Sequence, residues 1–238
     1  SLAFLRALAR HNDREWFRAR KAEYERHVRG PMVALIERLA EDFQSFAPEL
    51  VATPRCIYRV YRDTRFSDDK TPLKTHIAAS FPWRGLPRHE GAGLYIEVAP
   101  KWVWVGGGMY APQTAQIAAV REHIAANYRQ LVGIVESPGF RRAVGALDGV
   151  RLQRVPRGYP KDHPAADYLR FRQFLAGREF PAAFAHSPRF HAGVLGVYRQ
   201  VAPLEAAPCV AVAVAPRVRR VDMLAVEVAR RGHVVGDR

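Results

Sequence analysis

Two short apolar runs, Leu94-Tyr95-Ile96-Glu97-Val98 and Trp102-Val103-Trp104-Val105, stand only three residues apart across Ala99-Pro100-Lys101. Their β-branched and aromatic residues favour extended chain. A connection this short joins antiparallel neighbours, because a parallel crossover needs a dozen residues or more. The pair therefore predicts a hairpin and a mainly antiparallel sheet. Trp102 and Trp104 share one face of it by the two-residue period of a strand. Cys56–Tyr61 and His76–Phe81 have strand composition as well, and Val150–Val155 alternates like a half-exposed strand. Gly106-Gly107-Gly108 is expected to end the hairpin's second arm, where close backbone approach or positive φ is wanted.

Helical patterns flank this block. Asn12-Asp13-Arg14-Glu15 has the shape of a capping box with Asn12 at the N-cap, followed by Trp16, Phe17, Tyr24 and Val28 at helical spacing. Gly30-Pro31 is expected to break that helix. Met32, Leu35, Ile36, Leu39, Phe43 and Phe46 then form one wide apolar stripe of a second helix. Pro112 opens a long helix that buries Ile117, Val120, Ile124, Tyr128, Leu131 and Val135, and a short helix spans about Phe140–Leu147. Asp162 is the expected cap of a helix through Tyr168, Leu169 and Leu175; Ser187-Pro188 starts another with Phe190, Val194, Val197, Tyr198 and Val201. Helices around short, tightly connected strands predict a single α+β domain over residues 1–204. From Glu205 to Arg238 the chain turns rich in Ala, Val and Arg; within this tail Cys209–Val214 reads as an edge strand and Arg217–Arg238 fits no template.

A length of 238 residues with 48% apolar content is ample for a buried core. No run of ~18 apolar residues exists to span a membrane, and the first residues lack the form of a secretion signal. The expected location is the cytoplasm, with Cys56 and Cys209 as free thiols. Neither cysteine belongs to a metal or redox motif, and no metal or cofactor is expected. The net charge of +14 rests on 32 Arg against 5 Lys. That balance fits phosphate recognition by guanidinium forks, with a nucleic-acid-associated basic protein as the alternative. The charges are nevertheless spread along the chain, and abundant Ala, Gly, Pro and Val give the Arg excess a compositional explanation too.

Charge is densest in Arg59-Val60-Tyr61-Arg62-Asp63-Thr64-Arg65-Phe66-Ser67-Asp68-Asp69-Lys70-Thr71-Pro72-Leu73-Lys74. If 56–62 is a strand, Arg59 and Arg62 point to opposite faces, and Arg62–Lys74 forms a loop at its end. Two readings stay open for this cassette. Arg59, Arg62, Arg65, Lys70 and Lys74 clamp a small anionic or phosphorylated ligand, bidentately where Arg is used, while Asp63 and Asp69 hold the Arg rotamers. Alternatively the same groups are an internal salt-bridge network with a purely structural or interaction role. Should the protein be an enzyme, Asp63 and His163 are the first candidates for general acid or base. Against that, Asp162-His163 before Pro164 has an ordinary capping explanation. The Gly run has no following Lys-Ser/Thr and is not a P-loop. His186 and His191 lack metal spacing, and the signatures of zincins, zinc ribbons and hydrolase elbows are missing.

These motifs together resemble a widespread family of uncharacterised bacterial proteins of about this length, with fungal relatives, catalogued as a domain of unknown function. The resemblance rests on Arg59-x-x-Arg62-Asp63-x-Arg65-Phe66, on Asp69-Lys70-x-Pro72-x-Lys74-Thr75, and on the opening Phe4-Leu5-x-x-Leu8, Asn12–Phe17 and Lys21-x-x-Tyr24. It extends to Gly106-Gly107-Gly108-Met109-Tyr110-x-Pro112, Arg121-x-x-Ile124 and Pro156-x-Gly158-Tyr159-x-x-Asp162-His163-Pro164, covering about residues 2–204. Leu73 stands where the pattern has Tyr, and Glu205 onward departs from it. The resemblance implies no activity. It does make the cassette, the helix start, the Gly run and the Tyr159–His163 turn one recurrent set, so the four are expected to converge on one polar pocket. Asn12, Arg14, Trp16, Gly107, Gly108 and Tyr159 are its secondary candidates.

Overall fold

Four antiparallel strands form a sheet in the order β1(Ile77–Pro82), β2(Gly93–Val98), β3(Trp102–Met109), β4(Phe174–Pro181). Packed with helices on both sides of it in sequence, the sheet makes an α+β fold. The structure is a computed structural model that describes residues 1–65, 67–86 and 91–214, the last ten without their side chains. Phe66 of the cassette and the Arg217–Arg238 run therefore lie outside the described residues.

The hairpin forms as expected: Trp104 pairs with Glu97, and the Ala99 amide donates to the Trp102 carbonyl at 2.9 Å. One face carries Ile77, Ala79 and Phe81 of β1, Leu94, Ile96 and Val98 of β2, Val103, Val105 and Met109 of β3, and Phe174 and Ala176 of β4, all buried. Helix α9(Phe190–Val214) lies on this face, where Tyr198 packs against Phe81 at 6.0 Å and against Phe43 at 5.9 Å. Phe43 comes from α4(Gly30–Phe43), whose stripe Met32, Leu35, Ile36, Leu39 and Phe43 is buried as its spacing predicts. No helix of the described residues is long and apolar enough to cross a membrane.

Several boundaries differ from the sequence reading, each for a local reason. The N-terminal helices are α1(Leu2–Arg10), α2(Arg14–Ala19) and α3(Lys21–Tyr24), and the chain passes through a π-turn, Glu25–Arg29, directly into α4. Gly30-Pro31 thus does not break the helical run. Pro31 offers no N–H to the helix, and the His27 carbonyl accepts the Ser1 hydroxyl instead, at 2.6 Å. The N-cap of α2 is Asp13, not Asn12: Asp13 Oδ1 accepts the Glu15 and Trp16 amides at 2.8 and 2.9 Å. These amides hold the Asp13 carboxyl below its ordinary range.

Cys56–Tyr61 is not a strand of the sheet. Pro54–Cys56 is a 3₁₀ turn, after which the chain touches the β1 edge through a single bridge, Ile57 to Ala79. Val150–Val155 likewise gives one bridge, Arg151 to Phe171. The long helix after Pro112 is two, α5(Thr114–Ala126) and α6(Tyr128–Val135), with Gln113 as N-cap. They part at Asn127, whose amide side chain competes for the His123 carbonyl at 3.0 Å. The following helix is α7(Pro138–Val144), capped by Ser137. The Asp162 cap does not form; α8(Ala166–Leu169) starts from Ala165, and Leu175 belongs to β4. Cys209–Val214 is the end of α9, not an edge strand, so the helix continues unbroken past Leu204.

Gly106-Gly107-Gly108 does not end β3, which runs through all three to Met109. The glycines let β4 approach. A Cβ on Gly106 would sit 2.2 Å from the Ala176 carbonyl oxygen, and one on Gly108, at φ +133, 1.9 Å from that of Phe174. No side chain fits there.

Candidate functional site

The cassette is a closed loop whose two arms are pinned by the helix start. Tyr61 bridges Leu73, the Arg62 amide donates to the Pro72 carbonyl at 2.9 Å, and the Lys74 amide donates to Val60 at 2.8 Å. Asn12 clasps one arm: its Nδ2 donates to the Leu73 carbonyl at 2.8 Å and its Oδ1 accepts the Leu73 amide at 3.0 Å. Phe17 meets the other arm through an edge contact with Tyr61 at 5.9 Å. Leu73, where the resembled pattern has Tyr, is buried in the core and serves packing.

Within that loop most charges are committed. Arg62 is only 9% exposed along its side chain; its Nη1 donates to Asp69 Oδ2 at 2.5 Å and to Thr71 Oγ1 at 2.7 Å, and Nη2 to Ser67 Oγ at 3.4 Å. Asp69 Oδ1 accepts the Thr71 amide and hydroxyl. The Arg62 bond first, then those of Thr71, push the Asp69 carboxyl far below the usual carboxylate range. Asp63 accepts Nε and Nη2 of Arg65 at 3.0 and 2.7 Å, which with the Arg65 amide lowers it to about 2. Arg65 itself is 74% exposed, and Lys70 donates to the Thr64 carbonyl at 3.1 Å.

Arg59 and Lys74 complete the cations of the cassette. Arg59 is exposed and acts on Asp63 only through its charge. Lys74 turns towards the sheet, with Nζ 5.0 Å from the Tyr58 ring centroid. Tyr58 packs 6.3 Å from Tyr95, and Tyr95 packs 5.8 Å from Trp104. The row is possible because β1 presents only small side chains, Ala78, Ser80 and Pro82, on this second face, leaving room for Tyr58 to reach β2. Beside it Glu97 is 5% exposed and accepts the Tyr95 hydroxyl at 2.7 Å through Oε2; Ser80 is buried as well. Trp104 lies against glycine, its ring atoms 2.7 Å from where a Gly106 Cβ would stand and 2.3 Å from that of Gly177.

Three of the four expected segments are thus linked by contact: Asn12–Phe17 to the cassette arms, and Lys74 through Tyr58 and Tyr95 to Trp104 and the Gly run. The contacts of the Tyr159–His163 turn run elsewhere. His163 Nδ1 accepts the Ala165 amide at 3.0 Å and its ring meets Tyr128 of α6 at 6.4 Å, while Tyr159 interacts electrostatically with Arg121 of α5. Arg121 donates to the Leu169 and Phe171 carbonyls. Among the secondary candidates, Trp16 packs on His11 and Phe4 with the Arg20 guanidinium over its ring, Arg14 is exposed, and Gly107 is buried in β3.

Tyr58, Tyr95 and Glu97 were not singled out by the sequence reading. Their signal was parity: Tyr95 and Glu97 alternate with the apolar Leu94, Ile96 and Val98, so they must share the face opposite the core. Among the described residues, no group of three or more His, Cys, Asp or Glu is placed to hold a metal ion.

A model of the family of conserved hypothetical proteins DUF2461 matches residues 1–206. The chain belongs to this family. None of the curated proteins and none of the solved structures matches it. DUF2461 is a domain of unknown function, so the match fixes kinship, and the chemistry has to be argued from the side chains.

Proposed function

We propose that this protein binds a small anionic ligand at the sheet-ward edge of the cassette, with Lys74 as its charge contact. The Arg62–Asp69 and Arg65–Asp63 pairs and Lys70 are the frame that fixes the loop. The observation that carries this reading is the direction of Lys74. Lys74 turns from the loop towards the sheet, with Nζ 5.0 Å from the Tyr58 ring centroid. A phosphate or carboxylate there meets a cation whose backbone is bonded across the loop arms to Val60, which lowers the ordering cost of binding.

Binding, and not acid–base catalysis by Asp63, is the better match to the electrostatics. A general acid or base works best with a pKa near the working pH, and Asp63 is lowered to about 2. His163 already spends Nδ1 on the Ala165 amide. Titration calorimetry with inorganic phosphate at low ionic strength tests the reading. Lys74→Gln should weaken binding about tenfold or more, as expected for a charge-assisted hydrogen bond of ~1.5–3 kcal/mol. The variant should melt within a few degrees of the parent. Phosphate binding unaffected by this change, or no binding at all, would overturn it.

A further inference from the structure

Outside the cassette, we infer a second anion site made by Arg121 of α5, Tyr159 of the 156–163 turn and Arg172, which precedes β4. Its ligand is a phosphate monoester, held by two guanidinium groups and a phenol.

Arg121 follows the buried Val120 on α5 and is itself half-buried. Its Nε donates to the Leu169 carbonyl at 2.9 Å and its Nη2 to the Phe171 carbonyl at 3.0 Å. Those bonds serve carbonyls left over where α8 ends, and they hold the guanidinium plane in one orientation. Nη1 has no partner among the described residues. Neither Nη1 nor the Tyr159 hydroxyl is among the buried polar atoms that lack a partner, so both reach solvent. No carboxylate acts on Arg121; the neighbours that do are Tyr159 and Arg172. Arg172 is the next residue after the Phe171 carbonyl that Arg121 holds, and Asp167 is engaged by Arg170 at 3.5 Å. Burial is the chief cause that moves the Arg121 guanidinium below its ordinary value, and the Arg172 charge adds to it. A half-buried cation without a counter-ion is costly, and a bound anion relieves that cost.

Charge and donor count choose the ligand. Arg172 is exposed, and its side chain has no partner among the described residues. The cluster therefore offers the two N–H groups of Arg121 Nη1, the Arg172 fork and a phenol O–H. These three groups match the three terminal oxygens of a phosphate monoester, and two positive charges match its charge of about −1.5 to −2 near pH 7. A carboxylate or a nucleic-acid phosphodiester carries a single negative charge and leaves one guanidinium unbalanced. A phosphate gripped by its oxygens at a surface requires solvent-reachable donors, not an enclosed cavity. Arg121 and Tyr159 also come from the two sequence motifs that the cassette contacts leave unexplained.

The test is calorimetry with glycerol 3-phosphate at low ionic strength, on the parent protein, Lys74→Gln, Arg172→Gln and the double variant. Lys74→Gln disables the cassette site and should retain one site for this monoester. Adding Arg172→Gln should weaken that site tenfold or more, and adding Tyr159→Phe instead should weaken it severalfold. Neither change removes a described side-chain hydrogen bond, so both proteins should melt within a few degrees of the parent; Arg121→Gln also frees two carbonyls and is the less decisive variant. The arginines stay charged throughout, so the remaining affinity should fall about tenfold from pH 7.5 to pH 5 as the monoester passes its second pKa near ~6. No binding left in the Lys74→Gln protein, or binding there that ignores Arg172→Gln, would overturn the second site. An unphosphorylated oligonucleotide that competes for it equally well would overturn the monoester assignment. Should the cassette reading fail and this one hold, Lys74→Gln would change nothing and Arg172→Gln would remove the binding.

Discussion

Asn12→Ala tests the clasp on which the whole site hangs. In the folded protein this one side chain satisfies both backbone groups of Leu73, at 2.8 and 3.0 Å, sixty-one residues away in sequence. Truncation leaves a donor and an acceptor without partners in a part-buried place. Each such group costs roughly 1–3 kcal/mol when buried, and partial burial puts both in the lower half of that range, so the loss should be about 2–4 kcal/mol. For a chain of this size each kcal/mol moves the melting temperature by ~2–4 °C, giving a drop of roughly 5–15 °C. Urea unfolding is the cleaner assay, because the midpoint should fall while the slope stays constant. Asn12→Asp is the informative control. It keeps the acceptor for the Leu73 amide but places a carboxylate oxygen against the Leu73 carbonyl, so it should be no more stable than Ala. Since Lys74 follows Leu73 directly, phosphate affinity should fall with the clasp. A midpoint change worth less than about 0.5 kcal/mol would refute the idea that Asn12 holds the loop.

Acid should loosen the cassette in a defined window. Asp63 is lowered from 3.8 to about 2 in the folded protein, and Asp69 and Asp13 are lowered too. Groups depressed on folding stabilise the protein above their unfolded pKa and lose that contribution as pH falls through the folded value. The urea midpoint should therefore begin to drop below about pH 4 and continue towards pH 2, and Asp69→Asn should remove part of that drop; a flat profile across this window would contradict the pairing. Gly106→Ala and Gly177→Ala should separate by cause. The first drives a methyl into the β4 backbone and should cost about 1–3 kcal/mol or more; the second has three Trp104 ring atoms as its nearest contacts, a side chain that can yield where backbone cannot, and should cost clearly less. Equal losses in thermal melts would show that the indole is not seated as described.

The strongly periodic parts of the fold were legible in sequence, because periodicity reports directly on which side of an element is buried. The α4 stripe and the β2–β3 hairpin are of this kind. β4 was not legible: Phe174-Leu175-Ala176-Gly177-Arg178-Glu179-Phe180-Pro181 mixes Gly, charge and Pro without strand alternation, and its Leu175 falls in the helix expected after Asp162. Its glycine is there for the Trp104 ring, a long-range requirement that no local window contains. The same holds for the Gly run, which looks like a terminator and is the site of closest strand approach. Asn12 was misplaced by one residue because two adjacent residues both have capping chemistry, and only the tertiary contact with Leu73 decides between them. The density of charge in the cassette was visible, but pairing depends on loop geometry, so the sequence could not say which cations would be spent internally.

The division of labour among those cations follows from their chemistry. A guanidinium presents several donors in a rigid plane and can tie three partners at once, which is how Arg62 joins Asp69, Thr71 and Ser67 across the loop. An ammonium is a compact charge on a flexible stem and makes a poor lattice member but an adaptable contact. Placing Arg62 inside the loop and Lys74 at its sheet-ward exit therefore gives a stiff frame with an ammonium over Tyr58 at one end. The sheet completes the arrangement from the other side. Its first face is spent on Phe43, Phe81 and Tyr198, and its second carries Tyr58, Tyr95, Glu97 and Trp104. An ordinary second face of an antiparallel sheet needs only polar side chains facing water. A buried carboxylate bonded to a tyrosine, in line with an indole seated on two glycines, is more order than solubility requires.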